Sequence, residues 1–153
     1  MDFLYNPQIQ IIIQLFLAAI LGGLVGLERE YQKRAAGLRT HSLVCLGSAL
    51  LTIISTETFY QWTGKTGFSF TPTYIIGSIA LSVGFVGAGL IMHRGSRIEG
   101  LTTAVGIWVV AAIGIVIGMK MYLVGAFAAF LTLGILAGLR LLEEKIFGKE
   151  KLR

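Results

Sequence analysis

The sequence predicts an all-α membrane protein with five transmembrane helices. Of its 153 residues, 55% are hydrophobic and only 14% are charged, whereas a soluble domain carries about 25% charged residues. The apolar residues gather into five runs, each close to the roughly 20 residues that a spanning helix needs. Because no Pro- or Ser-rich linker divides the runs, we expect a single membrane domain over residues 1–153.

The predicted spans are Ile9–Leu27, Leu43–Tyr60, Tyr74–Met92, Leu101–Met119 and Met121–Leu139. Pro7 and Pro72 each stand just before a run, where helix starts tolerate proline. Only Lys120 separates the last two runs, so the fourth and fifth helices should form a tight antiparallel hairpin. The residues 140–153 follow as a short basic tail.

Basic residues indicate the orientation, because Lys and Arg collect on the cytoplasmic side of membrane proteins. With five spans, eleven of these residues fall on one side and only Lys65 and Lys120 on the other. This distribution places the N-terminus outside and the C-terminus in the cytoplasm. Since most of the cations flank apolar spans, we expect them to meet the lipid bilayer rather than nucleic acid.

Two charged segments between apolar runs match one another. Gly26–Thr40 reads GLEREYQKRAAGLRT and Gly89–Thr103 reads GLIMHRGSRIEGLTT, with six of fifteen positions identical. The match suggests a parallel repeat of helices 1–2 and 3–4, with the fifth helix as an addition. Parallel repeats of this kind occur among transporters.

Both segments carry arginines close to threonines that precede or open a predicted span. Threonine can cap a helix N-terminus, where free N–H groups and the helix dipole favour anions. Arginine binds phosphate or carboxylate through two parallel hydrogen bonds. These features predict an anion- or partner-binding site on the cytoplasmic face, with Glu28 orienting the arginines and with the candidate residues Arg29, Arg34, Arg39, Thr40, Arg94, Arg97, Thr102 and Thr103. Topology and anchoring to acidic lipid are the competing explanation for the same charges.

Polar groups at mid-depth, which transport usually needs, are few in this prediction. Glu57 is the one acidic residue inside a run, near its outer end, and is either an interfacial side chain or a candidate cation ligand. His41 and His93 lie at the cytoplasmic boundary, and two histidines without a third ligand make a weak metal signal. We therefore predict no metal site and no cofactor, with bound magnesium as the open alternative. The sequence has no nucleophile elbow or P-loop, so we do not expect an enzyme.

Small residues recur at helical spacing within the spans, where they let helix backbones approach closely in lipid. Trp108 belongs to the same predicted contacts, because a buried indole N–H needs a partner or a cavity. Use of one such face for a homodimer is the secondary interpretation. The residues predicted to pack helices are Gly22, Gly26, Gly84, Gly87, Gly89 and Trp108, together with Gly114, Gly118, Gly134 and Gly138.

Several motifs over residues 9–140 carry a family resemblance. They are Glu28-Arg29 after the Gly-rich end of the first span, Ala36–Thr40 followed by Leu43-Val44, Gly84–Ile91, and Gly100–Ala104 followed by Trp108 and Ala111–Gly114. Together they are similar to the transmembrane part of the MgtC/SapB, or YhiD-type, family of bacterial inner-membrane proteins. Many members of that family also carry a soluble C-terminal domain, which we do not expect here.

The resemblance implies a multi-pass protein of the bacterial plasma membrane linked to magnesium homeostasis. Members are labelled magnesium transport proteins, and some regulate other membrane machinery, including ATP synthase. Two functions therefore stay open. One is a non-enzymatic regulator or accessory whose basic cytoplasmic face binds another membrane protein or an anionic ligand. The other is a transporter or channel for magnesium or another small ion, although a magnesium path wants several oxygen ligands and Glu57 is the only carboxylate on offer inside the predicted spans.

Overall fold

Helices dominate the structure, a computed structural model that describes residues 6–62, 71, 73–95 and 97–147. A short β-hairpin interrupts them, and the last helix contains a π-helical segment at Gly134–Leu139. In chain order the other elements are α1 (Pro7–Tyr31), α2 (Leu38–Trp62), α3 (Thr73–Ala88), β1 (Met92–Arg94), β2 (Arg97–Glu99), α4 (Leu101–Gly118), α5 (Tyr122–Leu133) and α6 (Arg140–Phe147).

Four helical stretches are long and apolar enough to cross a bilayer, namely Pro7–Tyr31, Leu38–Trp62, Leu101–Gly118 and Tyr122–Leu142. The third predicted span, Tyr74–Met92, is shorter in the structure, because α3 has only 16 residues. That length is about 24 Å at 1.5 Å per residue, against about 30 Å of hydrocarbon. The predicted all-α membrane fold is confirmed, with a two-stranded hairpin that was not predicted.

The ends of α1 and α2 lie beyond the predicted bounds at the charged segment between them. α1 begins with Asn6 as its cap, whose side chain accepts a hydrogen bond from the N–H of Gln8 at 3.0 Å, and with Pro7 in the first turn. It continues past Leu27 to Tyr31, because Glu and Arg are good helix formers even outside the apolar run. At the other end of the chain, part of the predicted tail forms α6.

α4 is the central helix of the bundle, since it packs against α1, α2, α3 and α5. The main core takes apolar side chains from four helices, namely Ala18, Leu21, Val25, Cys45, Ala49, Val110, Ile113, Ile117 and Ala129. α3 joins this core only through a smaller cluster, in which Ile79 meets Ala111 and Ile115 of α4. α3 is therefore the lightly held element of the bundle.

A tight turn joins α4 to α5, as the single residue between the two predicted spans required. The N–H of Lys120 donates to the carbonyl of Ile117 at 2.9 Å, and the N–H of Met121 donates to that of Val116 at 3.1 Å. This pair of bonds is a Schellman motif. Lys120 has a φ of 64°, so a lysine stands in the left-handed position that glycine usually fills.

Glycines bring α1 against α2. A Cβ added at Gly22 would lie 2.5 Å from the Cβ of Cys45, and one at Gly26 would lie 2.7 Å from the carbonyl oxygen of Gly37. Both distances are far below ordinary van der Waals contact. Only glycine therefore permits this approach of the two backbones, which is how helices associate in lipid.

Glycines also bring α4 against α2. A Cβ at Gly118 would lie 2.8 Å from the carbonyl oxygen of Ala49, and one at Gly114 would overlap the carbonyl oxygen of Cys45. α2 thus packs closely against glycines of both α1 and α4.

Other predicted packing positions differ from this pattern. Among the described atoms, an added Cβ at Gly84 meets nothing within 4 Å, and Gly87 reaches Ala104 only at the ordinary distance of 3.4 Å. Gly89 lies in the turn after α3. Trp108 is 49% exposed on the outer side of α4, because the inner side of α4 carries its glycines. Among the described residues, these positions do not hold helices closely together, and neither do Gly134 and Gly138.

Candidate functional site

The two charged segments face one another at one end of the bundle, across an open groove of about 870 Å³. The turn between α1 and α2 forms one wall, and the β-hairpin with the first turn of α4 forms the other. We call this feature the basic groove, and its lining residues are Lys33, Arg34, Ala35, Leu90, Met92, Arg97, Ile98, Glu99, Gly100, Leu101, Thr102 and Thr103.

A Schellman motif at the end of α1 positions two cations of the groove. The N–H of Lys33 donates to the carbonyl of Glu30 at 2.9 Å, and the N–H of Arg34 donates to that of Arg29 at 3.0 Å. Lys33 takes the left-handed position of the motif, with a φ of 55°. The chain therefore turns sharply after Tyr31 and presents two exposed cations side by side.

The β-hairpin positions the opposite wall. β1 and β2 are antiparallel, and Arg94 pairs with Arg97 on either side of a turn in which Gly95 has a φ of 63°. Gly100 follows with a φ of 88°, and a Cβ there would overlap the carbonyl oxygen of Leu90. Only glycine can hold this conformation so close to another backbone. It brings the start of α4 back against the end of α3.

The two matched segments therefore have different conformations. The first continues as helix through Tyr31 and then turns, whereas the second forms two strands. The lengths differ too, since α1 and α2 have 25 residues each but α3 has 16 and α4 has 18. The predicted parallel repeat does not extend to the segments that suggested it. Lys33, in the left-handed backbone conformation, follows the end of α1, whereas Gly100, in the same conformation, precedes the start of α4.

The N-terminus of α2 is capped from α1. The carboxylate of Glu30 accepts a hydrogen bond from the backbone N–H of Leu38 at 2.8 Å. Thr40, which was expected to cap this helix, instead lies inside its first turn. The reason is that α2 begins at Leu38, before the apolar run, so the capping position precedes the threonine. The side chain of Glu30 thus already caps the N-terminus of α2.

Among the described residues, no side chain caps the N-terminus of α4 in this way. Gly100 takes the capping position and has no side chain with which to cap. Thr102 and Thr103 lie in the first turn rather than at the cap, so their predicted capping role is also corrected. Since the first N–H groups of a helix have no acceptor within it, these groups remain at the groove without a side-chain cap.

Arg29 lies inside the bundle and not in the groove. It is only 3% exposed, and its Nε donates to the carboxylate of Glu28. The structure therefore places Arg29, a predicted site residue, away from the basic groove. The cause is the continuation of α1, which places Arg29 on the same helical face as Gly22 and Gly26, toward α2.

The remaining predicted site residues divide into two groups. Arg34, Arg97, Thr102 and Thr103 come together at the groove. Arg39 is exposed in the first turn of α2 and does not line it. The backbone of Arg94 lies in β1, and its side chain is outside the described part of the structure.

A buried polar stripe on α2 was not predicted. Its side chains recur at spacings of three and four residues, and each is at most 4% exposed. That helical spacing is the sequence signal that could have found them. We call the set the polar stripe, and its members are His41, Cys45, Ser48, Thr52 and Ser55. The structure therefore gathers these polar side chains of α2 on one buried face.

Local hydrogen bonds to backbone carbonyls satisfy part of the hydrogen-bonding capacity of the polar stripe. The hydroxyl of Thr52 donates to the carbonyl of Ser48 at 2.8 Å, and Nδ1 of His41 lies 2.9 Å from the carbonyl oxygen of Gly37. Within the described chain, Nε2 of His41 and Oγ of Ser55 are buried without a hydrogen-bond partner. The stripe runs between these two unpaired atoms.

The candidate metal ligands stay apart. Glu57 is partly buried on α2, whereas His93 is exposed on β1 and His41 is fully buried. Across the described residues, the structure assembles no group of three or more His, Cys, Asp or Glu that could hold a metal ion.

Elsewhere in the bundle, Gln14 is fully buried, and its Nε2 donates to the hydroxyl of Tyr122 at 3.0 Å. This bond ties α1 to α5.

Apolar helices around a central α4, with charged connections at one end, define a multi-pass membrane protein. The chain belongs to the MgtC family, whose model matches residues 15–145. It is 42% identical over 140 residues to YhiD of Escherichia coli (strain K12), a protein named as a candidate magnesium transporter. It is 35% identical over 156 residues to SrpB of Synechococcus elongatus and 38% identical over 111 residues to MgtC of Salmonella typhimurium.

These matches cover most of the chain but different shares of the relatives. They span 92%, 94% and 72% of this chain for YhiD, SrpB and MgtC, in that order. They span 65% of YhiD, 84% of SrpB and 44% of MgtC. No solved structure matches the chain.

Proposed function

We propose that the chain is a magnesium-linked regulator or accessory protein of the bacterial plasma membrane. In this proposal it acts through the basic groove, which binds an anionic ligand or an acidic surface of another membrane protein, and it performs no catalysis. Membership of the MgtC family and the name of the YhiD relative support the link to magnesium. The groove faces the cytoplasm in the orientation that the distribution of Lys and Arg favours.

The observation that carries the proposal is the contrast between the groove and the bundle interior. The groove joins two segments that are far apart in sequence and brings Lys33, Arg34 and Arg97 to one opening. The interior, by comparison, is tightly closed where α4 meets α2. A Cβ at Gly118 would lie 2.9 Å from the Cβ of Thr52, and one at Gly114 would lie 2.9 Å from that of Ser48. Polar side chains packed this closely favour a structural role over an ion path.

The polar stripe supports a second candidate, a transporter for magnesium or another small ion. Its hydroxyl groups and the unpaired Nε2 of His41 lie within one helix, which also carries Glu57 toward its other end. Buried polar groups inside membrane spans often mark ion or proton pathways. In this alternative, α2 and α4 would have to separate for an ion to pass.

Growth at low magnesium tests the groove proposal. A bacterium that lacks its own MgtC-family gene is supplied with this chain, with a Lys33→Gly/Arg97→Gln variant, or with Arg39→Gln as the matched control. Arg39 is an exposed cation of α2 that lies outside the groove. We expect wild type and Arg39→Gln to restore growth and the groove variant to fail at equal protein level in the membrane. A groove variant that restores growth fully would contradict the proposal.

A further inference from the structure

The basic groove has the donors of a site for one particular chemical group. We infer that it binds a tetrahedral phosphate at the N-terminus of α4. This inference rests on the proposed function and narrows its ligand to a chemical class. Donors reach the groove from the α1–α2 turn, from the hairpin and from the helix end. Such an arrangement suits the four oxygens of a phosphate better than the two of a planar carboxylate.

The helix end is the first part of the site. α4 has 18 residues, and Gly100 makes no side-chain cap. Its first N–H groups therefore point to the groove with the positive end of the helix dipole behind them, which is a known setting for phosphate. At α2, by contrast, the carboxylate of Glu30 serves the same purpose within the chain.

Thr103 is the second and independent part. It is 3% exposed, yet it lines the groove. Its hydroxyl makes no hydrogen bond within the described residues, whereas the buried hydroxyl of Thr52 bonds to a backbone carbonyl. An oxygen of a bound phosphate at the start of α4 would accept a hydrogen bond from the hydroxyl of Thr103.

The charges of the lining are the third part. Lys33 and Arg34 stand on one wall and Arg97 on the other, with Glu99 as the one carboxylate of the lining. The positive charge exceeds the negative charge by two in this set. A phosphate between the walls would join segments that otherwise repel each other across the opening.

Two sources can supply the same phosphate chemistry. The groove lies where the apolar helices end, so a phospholipid headgroup could enter it from the membrane and a free phosphate from the aqueous phase. Wild-type protein in detergent is titrated with inorganic phosphate, and binding is followed by the line width of the phosphorus resonance. In a second arm, native mass spectrometry counts the phosphatidylglycerol molecules that the protein retains from mixed vesicles with phosphatidylcholine.

The variants separate a built site from general attraction of charge. Thr103→Val keeps the shape of the side chain but removes the hydroxyl, and Lys33→Gly removes a cation while relaxing a left-handed position. We expect each to weaken phosphate binding about tenfold, the effect of losing one hydrogen bond to a charged group. Arg39→Gln should leave it within about twofold, since this exposed cation lies outside the groove and adds only screened attraction. Thermal unfolding of each variant verifies that it folds.

The outcomes are distinct. Binding in the first arm alone identifies free phosphate as the source, and retention of phosphatidylglycerol alone identifies the headgroup. Binding that Thr103→Val leaves unchanged, or that Arg39→Gln weakens as much as Lys33→Gly does, overturns the phosphate site. So does an absence of binding in both arms. If the groove variant also fails to support growth in that case, the proposed function stands with a different anionic ligand.

Discussion

The carboxylate of Glu30 accepts a hydrogen bond from the backbone N–H of Leu38 at 2.8 Å, which joins the last turn of α1 to the first turn of α2. The bond crosses the charged segment Gly26–Thr40 and fixes its fold. Glu28, the other acidic residue of this segment, pairs with Arg29 within the bundle. Both carboxylates of the segment therefore have structural roles. What remains for a ligand is the outer surface of the turn, at Lys33 and Arg34.

Replacing Glu30 should destabilise this end of the bundle. Glu30→Ala leaves the N–H of Leu38 without its acceptor and removes a negative charge from a helix N-terminus, which costs about 1 kcal/mol. Glu30→Gln keeps an oxygen that can accept the bond, so it should cost less. Thermal unfolding in detergent, followed by circular dichroism, measures both. Equal losses for the two variants would argue against the capping role.

Replacing a glycine by alanine at the α2–α4 contact should lower the stability of the protein. Gly114→Ala would place a methyl group against the carbonyl of Cys45 and should lower the stability by about 1–3 kcal/mol through overpacking. Gly134→Ala is the matched control, because an added Cβ there meets no described atom within 4 Å. The same unfolding measurement compares them. A Gly114→Ala protein as stable as the control would show that the two helices are less close than described.

Substitution of Arg29 should lower the stability of the protein, whereas substitution of Arg39 should not. Arg29→Gln leaves the carboxylate of Glu28 nearly buried without its partner, and breaking such a pair costs about 3 kcal/mol. Arg39→Gln removes an exposed charge, whose contribution is within about 0.5 kcal/mol. We expect low yield and a lower melting temperature for Arg29→Gln alone. Similar melting temperatures for the two variants would return Arg29 to the list of ligand-binding candidates.

Lys120→Gly should stabilise the α4–α5 turn. Lys120 has a φ of 64°, and a left-handed conformation costs a residue with a Cβ roughly 1–2 kcal/mol that glycine avoids. The greater conformational entropy that glycine has in the unfolded chain, and loses on folding, offsets part of this gain. We therefore expect a rise in melting temperature for Lys120→Gly and none for Lys120→Ala. An alanine variant as stable as the glycine variant would assign the effect to charge instead.

Much of the fold was readable in the sequence because the membrane imposes a strong rule. Apolar runs of about 20 residues must become helices, so α1, α2, α4 and α5 appear near their predicted places. The ends of helices were less predictable. Tyr31 and Leu38 lie outside the apolar runs, where hydrogen bonds such as that of Glu30 decide the boundary rather than hydrophobicity.

The candidate site was only partly predictable for a related reason. Spacing showed that Arg34, Arg97, Thr102 and Thr103 belong to two charged segments on one side, and the structure brings them to one groove. It could not show that Arg29 turns inward, since that depends on how far α1 continues as a helix. The polar stripe was overlooked because its residues alternate with apolar ones, and their common face becomes visible only at helical spacing.

The central claim is that this chain acts as a regulator and does not itself move ions, because α1 and α4 close over the polar stripe of α2. The most direct test reconstitutes the purified protein into liposomes that contain a magnesium indicator and applies a gradient of magnesium or of protons. We predict no flux above that of protein-free liposomes, for wild type and for Glu57→Gln alike. Robust flux in wild type that disappears in Glu57→Gln would contradict the account and establish the transporter.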